Sequence, residues 1–390
     1  MDSAVENPCE EAATPHRSGH TAAVEGNTLF VWGGYMSTAD NEVFLPNDEI
    51  WLYDLKSAEW EMYRMSGEVP PPMSGVCGSA LGGCLYIFGG CDDNGQTNEL
   101  YCVNLLDGNY SWRKVRAETG TPPSPRDKLC CWVFNNWVTY FGGYGHKKLD
   151  DVWDDNSFNM DTASLELDVG WGWNNEVHVF DTVLSSWTEP NTCGRAPSPR
   201  AAHAGATLGH KGYVHGGRGM YTTTCDIHCL DLKSWTWSEV VPVSTVPAGR
   251  SWHSLTTVSE STLFLFGGIN VDCKPMSDGW IFDVEMKKWS KFKHRNKNQP
   301  RLWHTASQTM YSDVLVFGGC CDYIHLVGTF ENLTGHSNHA LVIQTQPYPL
   351  FWICEDYIAK NVKNCKIQNQ LSYLPRKLLH AVLKRMSRKI

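Results

Sequence analysis

Six side chains of this chain have the chemistry needed to hold an extended peptide that ends in a carboxylate. They are Lys128, Tyr144, Trp173, Arg218, Ser251 and Trp252. Lysine, arginine and a serine hydroxyl can hydrogen-bond a carboxylate, while tyrosine and tryptophan rings form apolar walls. The sequence therefore predicts a peptide-binding site, provided that the fold brings these residues to one place.

A second set of charged side chains recurs as an Arg-x-x-His element. The four copies are Arg17/His20, Arg200/His203, Arg250/His253 and Arg301/His304. Because the element recurs with the repeat described below, we interpret it as structural, with side chains that tie adjacent repeats together.

Metal or redox chemistry has little support in the sequence. No Cys-x-x-Cys pair occurs, and the cluster of Cys225, His228 and Cys229 is better explained by buried side chains. The 15 cysteines include tandem pairs such as Cys130-Cys131 that cannot easily bridge to each other. We therefore expect free thiols in a reducing compartment, and we predict no metal and no cofactor.

The elements that position these residues form a repeat. An apolar run ending in two glycines occurs six times, at intervals of 51 to 74 residues, and most runs are followed by a short apolar strand and a tryptophan. The glycine pairs are Gly33-Gly34, Gly89-Gly90, Gly142-Gly143, Gly216-Gly217, Gly267-Gly268 and Gly318-Gly319. Four-stranded units with a period near 50 residues are typical of kelch β-propellers.

We therefore predict an all-β fold: a six-bladed kelch β-propeller over residues 15–346, preceded by an extension (1–14) and followed by a helical tail (347–390). A β-sandwich is disfavoured by the regular repeat. The sixth unit lacks a closing tryptophan, so we expect residues near the N-terminus to complete its sheet and close the ring.

In an antiparallel blade, the strand that ends at the glycine pair finishes beside the start of the Arg-x-x-His element of the same blade. The residues after the six glycine pairs are Tyr35, Cys91, Tyr144, Arg218, Ile269 and Cys320, of which Arg218 alone is charged. Arg218 breaks the pattern of the repeat, so we interpret it as functional. The third unit carries an insertion from Gly145 to Glu176 with seven acids and no base between Leu149 and Asp168. Because its middle shows no apolar periodicity, we expect a mobile loop on the rim.

The C-terminal tail shows two amphipathic patterns. Pro349 is placed to begin a helix on which Leu350, Cys354 and Ile358 share one narrow face. A second helix is predicted after Leu374-Pro375, with apolar residues on one side and basic residues on the other. Such apolar stripes either pack on the propeller or bind a partner.

The tail and the propeller together resemble a known family. Pro349 followed by Leu350-x-x-x-Cys354-x-x-x-Ile358 resembles a BC box, and Leu374-Pro375-x-x-Leu378-x-x-x-Val382 resembles a Cullin-2 box. With Val31-Trp32-Gly33-Gly34-Tyr35, Asp127-Lys128-Leu129 and Arg250-Ser251-Trp252-His253, the chain from about Arg17 onward resembles the kelch domain-containing protein 1/2 family, closer to its protein 1 branch.

This resemblance implies a non-catalytic substrate receptor of a Cullin-2–RING ubiquitin ligase that binds glycine-ended C-terminal degrons. Leu350, Cys354 and Ile358 would bind Elongin C within the Elongin B/C pair, while Leu374, Pro375, Leu378 and Val382 would bind Cullin-2, which carries a RING-box protein. Lys128, Tyr144, Trp173, Arg218, Ser251 and Trp252 match the family's degron pocket. The family's second clamp arginine falls at position 223, where this chain has Thr223.

Composition narrows the remaining alternatives. A net charge of −9 argues against a nucleic-acid or anionic-membrane binder. The acidic N-terminus does not resemble a signal peptide, so the cytoplasm is the expected location, with the nucleus as the alternative. A kelch scaffold without ligase function and a metal-dependent enzyme remain the competing hypotheses. Co-purification of Elongin B and C separates the first from the ligase receptor, and metal analysis tests the second.

Overall fold

The computed structural model describes residues 14–38, 41–152, 157–166, 168–309, 312–322, 335–348, 350–361 and 371–386. Within these residues the strands form six sheets of three to six strands, arranged as the blades of a propeller. The predicted all-β fold and its six blades are therefore confirmed. The predicted helix start at Pro349 and nearly all of the predicted N-terminal extension lie outside the described residues. Among the described residues, no helix is long and apolar enough to span a lipid bilayer.

The first three blades contain nineteen of the strands. Blade one contains β1 (Thr21–Glu25), β2 (Thr28–Trp32), the hairpin of β3 (Tyr35–Ser37) and β4 (Glu42–Phe44), β5 (Glu49–Asp54) and β6 (Trp60–Arg64). Blade two contains β7 (Ser66–Gly67), β8 (Cys77–Leu81), β9 (Cys84–Phe88), the hairpin of β10 (Cys91–Asp92) and β11 (Gly95–Gln96), β12 (Leu100–Asn104) and β13 (Ser111–Lys114). Blade three contains β14 (Arg126–Asp127), β15 (Cys130–Phe134), β16 (Trp137–Lys148), β17 (Phe158–Glu166), β18 (Val169–Asp181) and β19 (Ser186–Thr188).

The last three blades are followed by the helical tail. Blade four contains β20 (Cys193–Gly194), β21 (Ala204–Leu208), β22 (Lys211–His215), β23 (Ile227–Asp231) and β24 (Thr236–Val240). Blade five contains β25 (Arg250–Ser251), β26 (Ser254–Ser259), β27 (Thr262–Phe266), β28 (Ile269–Asn270), β29 (Gly279–Asp283) and β30 (Lys288–Phe292). Blade six contains β31 (Thr305–Gln308), β32 (Val314–Phe317) and β33 (Ala340–Ile343). The tail contains α1 (Leu350–Asn361) and α2 (Arg376–Met386), with a 3-10 turn at Leu371–Tyr373.

The core lies between the blades. The last strand of a blade carries a tryptophan that packs on an aromatic ring of the preceding blade. Trp112 lies 5.3 Å from Trp32 between ring centroids, Trp187 lies 5.2 Å from Phe88, and Trp60 lies 4.8 Å from Phe317. These contacts confirm that the repeated tryptophans pack one sheet on the next. Aromatic pairs of this geometry add about 0.5–1.5 kcal/mol each beyond the area that they bury.

The glycine pairs allow neighbouring blades to approach closely. Both glycines have positive φ, 65° at Gly318 and 90° at Gly319, a conformation that side chains other than glycine rarely adopt. A Cβ atom at Gly318 would lie 2.5 Å from the imidazole of His20 in blade one. The amide of Gly319 donates to the carbonyl of Arg17 at 2.8 Å, which links blade six to blade one.

The Arg-x-x-His elements are structural, but their two side chains do different work. Arg250, fully buried, donates to the carbonyl of Gly267 and makes two hydrogen bonds to Asp278 within its own blade. The histidines connect neighbouring blades, as where His20 Nε2 lies 2.9 Å from the hydroxyl of Thr305. Burial lowers the pKa of His304 to about 3, so this imidazole is neutral at physiological pH. The arginines therefore stabilise single blades and the histidines tie adjacent ones.

Blade six does not have a fourth strand within the described residues. N-terminal residues nevertheless contact it, because Thr14, His16 and Arg17 hydrogen-bond to the segment 336–338 just before β33. The expectation that an N-terminal strand completes the sheet thus concerns residues 1–13, which lie outside the described part of the chain.

The insertion in blade three is a sheet, so the prediction of a rim loop is wrong. Strands β16 and β18 continue past the blade, and β17 pairs with β18 along the extension. A buried ionic cluster stands at its base, where Glu176 accepts hydrogen bonds from Arg126 and Lys147. Burial alone would raise the pKa of Glu176, but His178, Arg126 and Lys147 outweigh it and hold the pKa far below its usual range. Two of the seven acids of the insertion, Asp161 and Glu166, lie in β17, for which β18 supplies the pairing edge.

The tail is helical, as its periodicity predicts. Helices α1 and α2 pack on each other, and the side chain of Val382 in α2 is fully buried. The segment before α1 is fastened to blade six, where the hydroxyl of Tyr348 donates to Asp313 at 2.5 Å.

Candidate functional site

A closed ring of six backbone hydrogen bonds surrounds the propeller axis. Each blade contributes one residue, and the amide of each donates to the carbonyl of the residue from the preceding blade at 2.8–3.1 Å, with Gly19 of blade one donating to Trp303 of blade six. We call these residues the axial ring: Gly19, Gly75, Lys128, Ala202, Trp252 and Trp303. All six have positive φ, from 52° to 69°, so the four that are not glycine adopt a strained conformation held by the ring.

The side chains of the axial ring are unequally distributed. At the opening of the ring, which we call the mouth, Gly19 and Gly75 are neighbours without side chains, whereas Lys128, Trp252 and Trp303 carry bulky groups. Ala202 lies between Lys128 and Trp252. A cavity of about 250 Å³ is lined by the axial ring and by the histidines of the Arg-x-x-His elements. Glycine at position 19 leaves room for Trp303, since a Cβ atom on Gly19 would lie 3.1 Å from the Trp303 indole. The mouth is therefore a partly open pocket with aromatic walls.

The residues after the glycine pairs lie beside this mouth. Backbone pairing joins Ser18 with Tyr35, Ala201 with Arg218, and Ser251 with Ile269, and the same pairing occurs in the other blades. This confirms that the glycine-pair strands end where the Arg-x-x-His elements begin. The two sets of residues therefore share one face of the propeller.

Arg218 carries a cation that the described residues leave without an ion pair. Its side chain is exposed, and its guanidinium carbon lies 5.8 Å from the ring centroid of Trp252. The nearest acid along its blade, Asp226, is held by two hydrogen bonds from Arg200 and one contact with His228. Arg218 is thus free to bind an anion beside Trp252. Of the six predicted residues, Lys128 and Trp252 line the cavity, and the other four lie outside its lining.

Lys128 differs from Arg218 because its charge is already balanced. Its ammonium donates to the buried carboxylate of Asp127 and lies 5.5 Å from the ring centroid of Trp303. A cation paired in this way attracts an incoming carboxylate less strongly than a free one. Lys128 therefore lines the site as much as it contributes charge to it.

Tyr144 and Trp173 lie on the paired strands of blade three. Their rings stand edge to face with centroids 5.1 Å apart, and Trp171 lies 6.2 Å from Tyr144 on the extension. The Tyr144 hydroxyl donates to Asp161 at 3.0 Å, and burial together with this carboxylate raises its pKa. This pair is connected to the rest of the site through Asp127, which is the backbone partner of Tyr144.

Two neutral hydrogen-bond donors complete the predicted set. Ser251 is buried, and its hydroxyl makes no hydrogen bond within the described residues. The indole nitrogen of Trp252 is buried and without a partner in the described part of the chain. Of the two, the Trp252 indole nitrogen is a buried donor left unpaired, which costs about 1–3 kcal/mol and favours binding of an acceptor.

Arg218 and Thr223 are direct neighbours across two short extended segments. Gly219 N donates to Thr222 O and Thr224 N donates to Gly217 O, both at 2.9 Å, on either side of the Arg218–Thr223 pair. This is the non-hydrogen-bonded pair of an antiparallel ladder, in which opposed side chains lie closest, with Cα atoms about 4.5 Å apart. The side chains of Arg218 and Thr223 therefore start from the same face of the paired segments.

The structure adds one aromatic residue, Trp303, that the sequence reasoning did not select. Trp303 lies 5.8 Å from Trp252 and 5.4 Å from Tyr35 between ring centroids, so it bridges the mouth. Trp303 stands in Arg301-x-Trp303-His304 where Trp252 stands in Arg250-x-Trp252-His253. This equivalence was the signal that could have identified it.

The residues predicted for the helical tail occupy both exposed and buried positions. Leu350 is 76% exposed, and Cys354 and Ile358 are partly exposed on the same helix. Pro375 is exposed and Leu374 and Leu378 are partly exposed, whereas Val382 is buried. Among the described residues, no group of three histidine, cysteine or acidic side chains is arranged to hold a metal ion.

Comparison with known proteins gives a consistent result. Residues 2–166 and 169–322 match the model of the KLHDC2/KLHL20/DRC7 Kelch-repeats domain. Kelch domain-containing protein 1 of Homo sapiens is 48% identical over 375 residues, covering 95% of this chain and 90% of that protein. Kelch domain-containing protein 2 of Homo sapiens is 39% identical over 393 residues, covering 96% and 92%. The solved structure of YjhT aligns with a TM-score of 0.61 at 15% identity, covering 86% of this chain and 98% of that one, and shows likeness of fold alone.

Proposed function

Because the chain belongs to the KLHDC2/KLHL20/DRC7 kelch-repeat family and is related along nearly its whole length to kelch domain-containing proteins 1 and 2, we propose that it is a substrate receptor of a Cullin-2–RING ubiquitin ligase. In this role it binds the free C-terminus of a target protein that ends in glycine. It catalyses no step itself, and it acts in the cytoplasm.

Arg218 is the observation that carries this proposal. It is an exposed guanidinium without an ion pair in the described residues, placed beside Trp252, which lines the axial cavity. A carboxylate is the complementary ligand, because an arginine forms charge-assisted hydrogen bonds to it. The indole nitrogen of Trp252 and the hydroxyl of Ser251 are the neutral donors that would share the second carboxylate oxygen.

The walls of the site favour a small terminal residue. Trp252 and Trp303 stand side by side across the mouth, and Lys128 covers the Trp303 ring. A terminal glycine brings only backbone atoms against these rings, whereas a larger terminal residue would have to displace them. Tyr144 and Trp173 then line the path of the preceding peptide residues.

The tail would join the receptor to the ligase. We propose that Leu350, Cys354 and Ile358 dock into Elongin C, and that Leu374, Pro375 and Leu378 lie against Cullin-2. The exposure of Leu350 supports this proposal, because an apolar side chain at the first turn of an amphipathic helix without a covering element favours a partner groove. Val382 is buried in the structure, so this proposed surface does not include it. The ligase then acts by proximity, since substrate and loaded ubiquitin carrier are held on one assembly.

Elongin capture tests the ligase part of the proposal. The full chain, expressed together with Elongin B and C, is expected to co-purify with both, and the double variant Leu350→Glu/Cys354→Glu is expected to lose them. Tyr373→Glu is the matched control, because Tyr373 is 85% exposed in the turn between the helices. Thermal unfolding of each variant shows whether the propeller is intact.

Capture by a folded double variant would contradict the Elongin assignment. Peptide binding without any capture by the unaltered chain would instead favour the alternative, a kelch scaffold that binds C-termini without a ligase.

A further inference from the structure

We propose that Thr223 is a phosphorylation site at which the added phosphate occupies Arg218 and closes the site to peptide carboxylates. The inference rests on the proposed function in one respect, since it assigns Arg218 as the carboxylate anchor. It goes beyond that function by giving the site a covalent off state.

The first observation is the geometry of the pair. Arg218 and Thr223 oppose each other with the backbone hydrogen bonds placed outside the pair, so their side chains project from the same face at the closest spacing that antiparallel strands allow. An arginine side chain reaches across such a distance without rearrangement of the backbone. A phosphate on the Thr223 oxygen would therefore lie within hydrogen-bonding reach of the guanidinium.

The second observation concerns charge. No acid of the described residues pairs with Arg218, and Asp226 is engaged by Arg200 and His228. A phosphothreonine carries a charge of about −1.5 to −2 at pH 7 and three acceptor oxygens, so it pairs with a free arginine more strongly than a carboxylate does. Tethered to the neighbouring segment, it would compete with the peptide at high effective concentration.

The third observation is access. Thr223 belongs to the run Tyr221-Thr222-Thr223-Thr224, in which Tyr221 is 85% exposed and Thr222 is exposed. The Thr223 hydroxyl makes no hydrogen bond within the described residues, and its side chain is partly exposed. A loop tip of this kind is where a modifying enzyme can reach the chain.

The reaction is an ordinary phosphoryl transfer. The Thr223 hydroxyl oxygen bonds to the γ-phosphorus of a nucleoside triphosphate in the active site of a protein kinase, the bond to the β-phosphate oxygen breaks, and the nucleoside diphosphate leaves. The hydroxyl proton passes to the kinase or to solvent. Arg218 takes no part in the transfer and binds only its product.

The test uses the full chain with phosphothreonine installed at position 223 by genetic-code expansion. The matched control carries phosphothreonine at position 222, whose side chain projects from the opposite face. Phosphorus NMR during a pH titration reports the ionisation of each phosphate. A free phosphothreonine has a second pKa of about 6. We expect a lower second pKa for the phosphate at 223 and no such lowering for the phosphate at 222. Replacing Arg218 by Ala should remove the difference.

Peptide affinity supplies the second readout. Phosphate at 223 is expected to weaken binding of a glycine-ended peptide at least tenfold, whereas phosphate at 222 should leave it unchanged. Equal titration of both phosphates, or unchanged affinity with phosphate at 223, would overturn the proposal. Failure of the unmodified chain to bind any glycine-ended peptide would contradict the proposed function instead, and the NMR comparison would still decide whether phosphate at 223 pairs with Arg218.

Discussion

Replacement of Arg218 by alanine should weaken the binding of a glycine-ended peptide by about 2 kcal/mol, which is about thirtyfold in Kd. The magnitude follows from the surroundings of the guanidinium. Lys128 is balanced by Asp127, and Thr223 contributes no charge, so Arg218 is the cation at the mouth that remains for the carboxylate. A charge-assisted hydrogen bond contributes about 1.5–3 kcal/mol, and no neighbouring cation replaces it.

The assay is a set of four affinities measured by fluorescence polarisation. One peptide ending in glycine is prepared with a free and with an amidated C-terminus, and each form is titrated with the unaltered chain and with Arg218→Ala. If the guanidinium binds the carboxylate, amidation and substitution remove the same interaction, so their combined loss should be close to either single loss. Arg195→Ala is the matched control, because Arg195 pairs with Glu239 at the outer edge of the same blade.

Tight binding of the amidated peptide to the unaltered chain would refute the carboxylate anchor. Additive losses would also refute it, because they would show that Arg218 and the carboxylate act independently.

Three further results are expected. Thr223→Arg should tighten binding of the same peptide about tenfold, because a second guanidinium would face the carboxylate beside Arg218; unchanged affinity in a titration would show that position 223 does not face the peptide. Arg250→Met should lower the free energy of unfolding in urea by about 3–5 kcal/mol, because the half-buried Asp278 loses its cation and both guanidinium hydrogen bonds and keeps the indole N–H of Trp280. Burial alone would raise the pKa of Asp278, but Arg250 outweighs burial and lowers it. The stabilisation of the fold by the Arg250–Asp278 pair is therefore present above about pH 4 and is lost as the pH falls further. The urea midpoint of Arg250→Met should accordingly depend less on pH in this range than that of the unaltered chain. Deletion of residues 149–168 should lower the thermal midpoint, since it removes β17 and its pairing with β18; an unchanged midpoint would mean that β17 adds nothing to the stability of blade three.

The repeat made the propeller predictable because its signals are local and repeated. A glycine pair at each strand end reports the close approach of the neighbouring blade, and the tryptophans report the surface that each blade must cover. The position of Arg218 was predictable for the same reason, since antiparallel pairing fixes which residues share an end of the sheet.

The contents of the site were harder to predict. That Asp127 balances Lys128 depends on the positive φ of Lys128 in the axial ring, which no local pattern in the sequence encodes. Trp303 was overlooked because its element was interpreted only for Arg301 and His304. The resemblance to the family, and not the pattern of residues, was the source of the glycine-ended peptide as ligand.

The prediction of a rim loop in blade three was wrong for a different reason. The segment from Leu149 to Asp168 shows no apolar periodicity, yet Phe158–Glu166 within it is a strand because β18 offers it a long pairing edge. Such tertiary pairing cannot be read from the periodicity of the segment itself. In the tail, Val382 is fully buried, and its role in binding Cullin-2 stays a prediction.

The most direct measurement of the central claim is ubiquitin transfer by a reconstituted ligase. The full chain is combined with Elongin B and C, Cullin-2, a RING-box protein and a loaded ubiquitin carrier, and the substrate is a reporter protein that ends in the glycine-ended peptide. We expect ubiquitination of this reporter, and loss of it when one residue is added after the glycine, when Arg218 is replaced by Ala, or when Leu350 and Cys354 are replaced by Glu. Equal ubiquitination of the reporter with and without the added residue, or no transfer by an assembled ligase whose receptor binds the peptide, would contradict the claim.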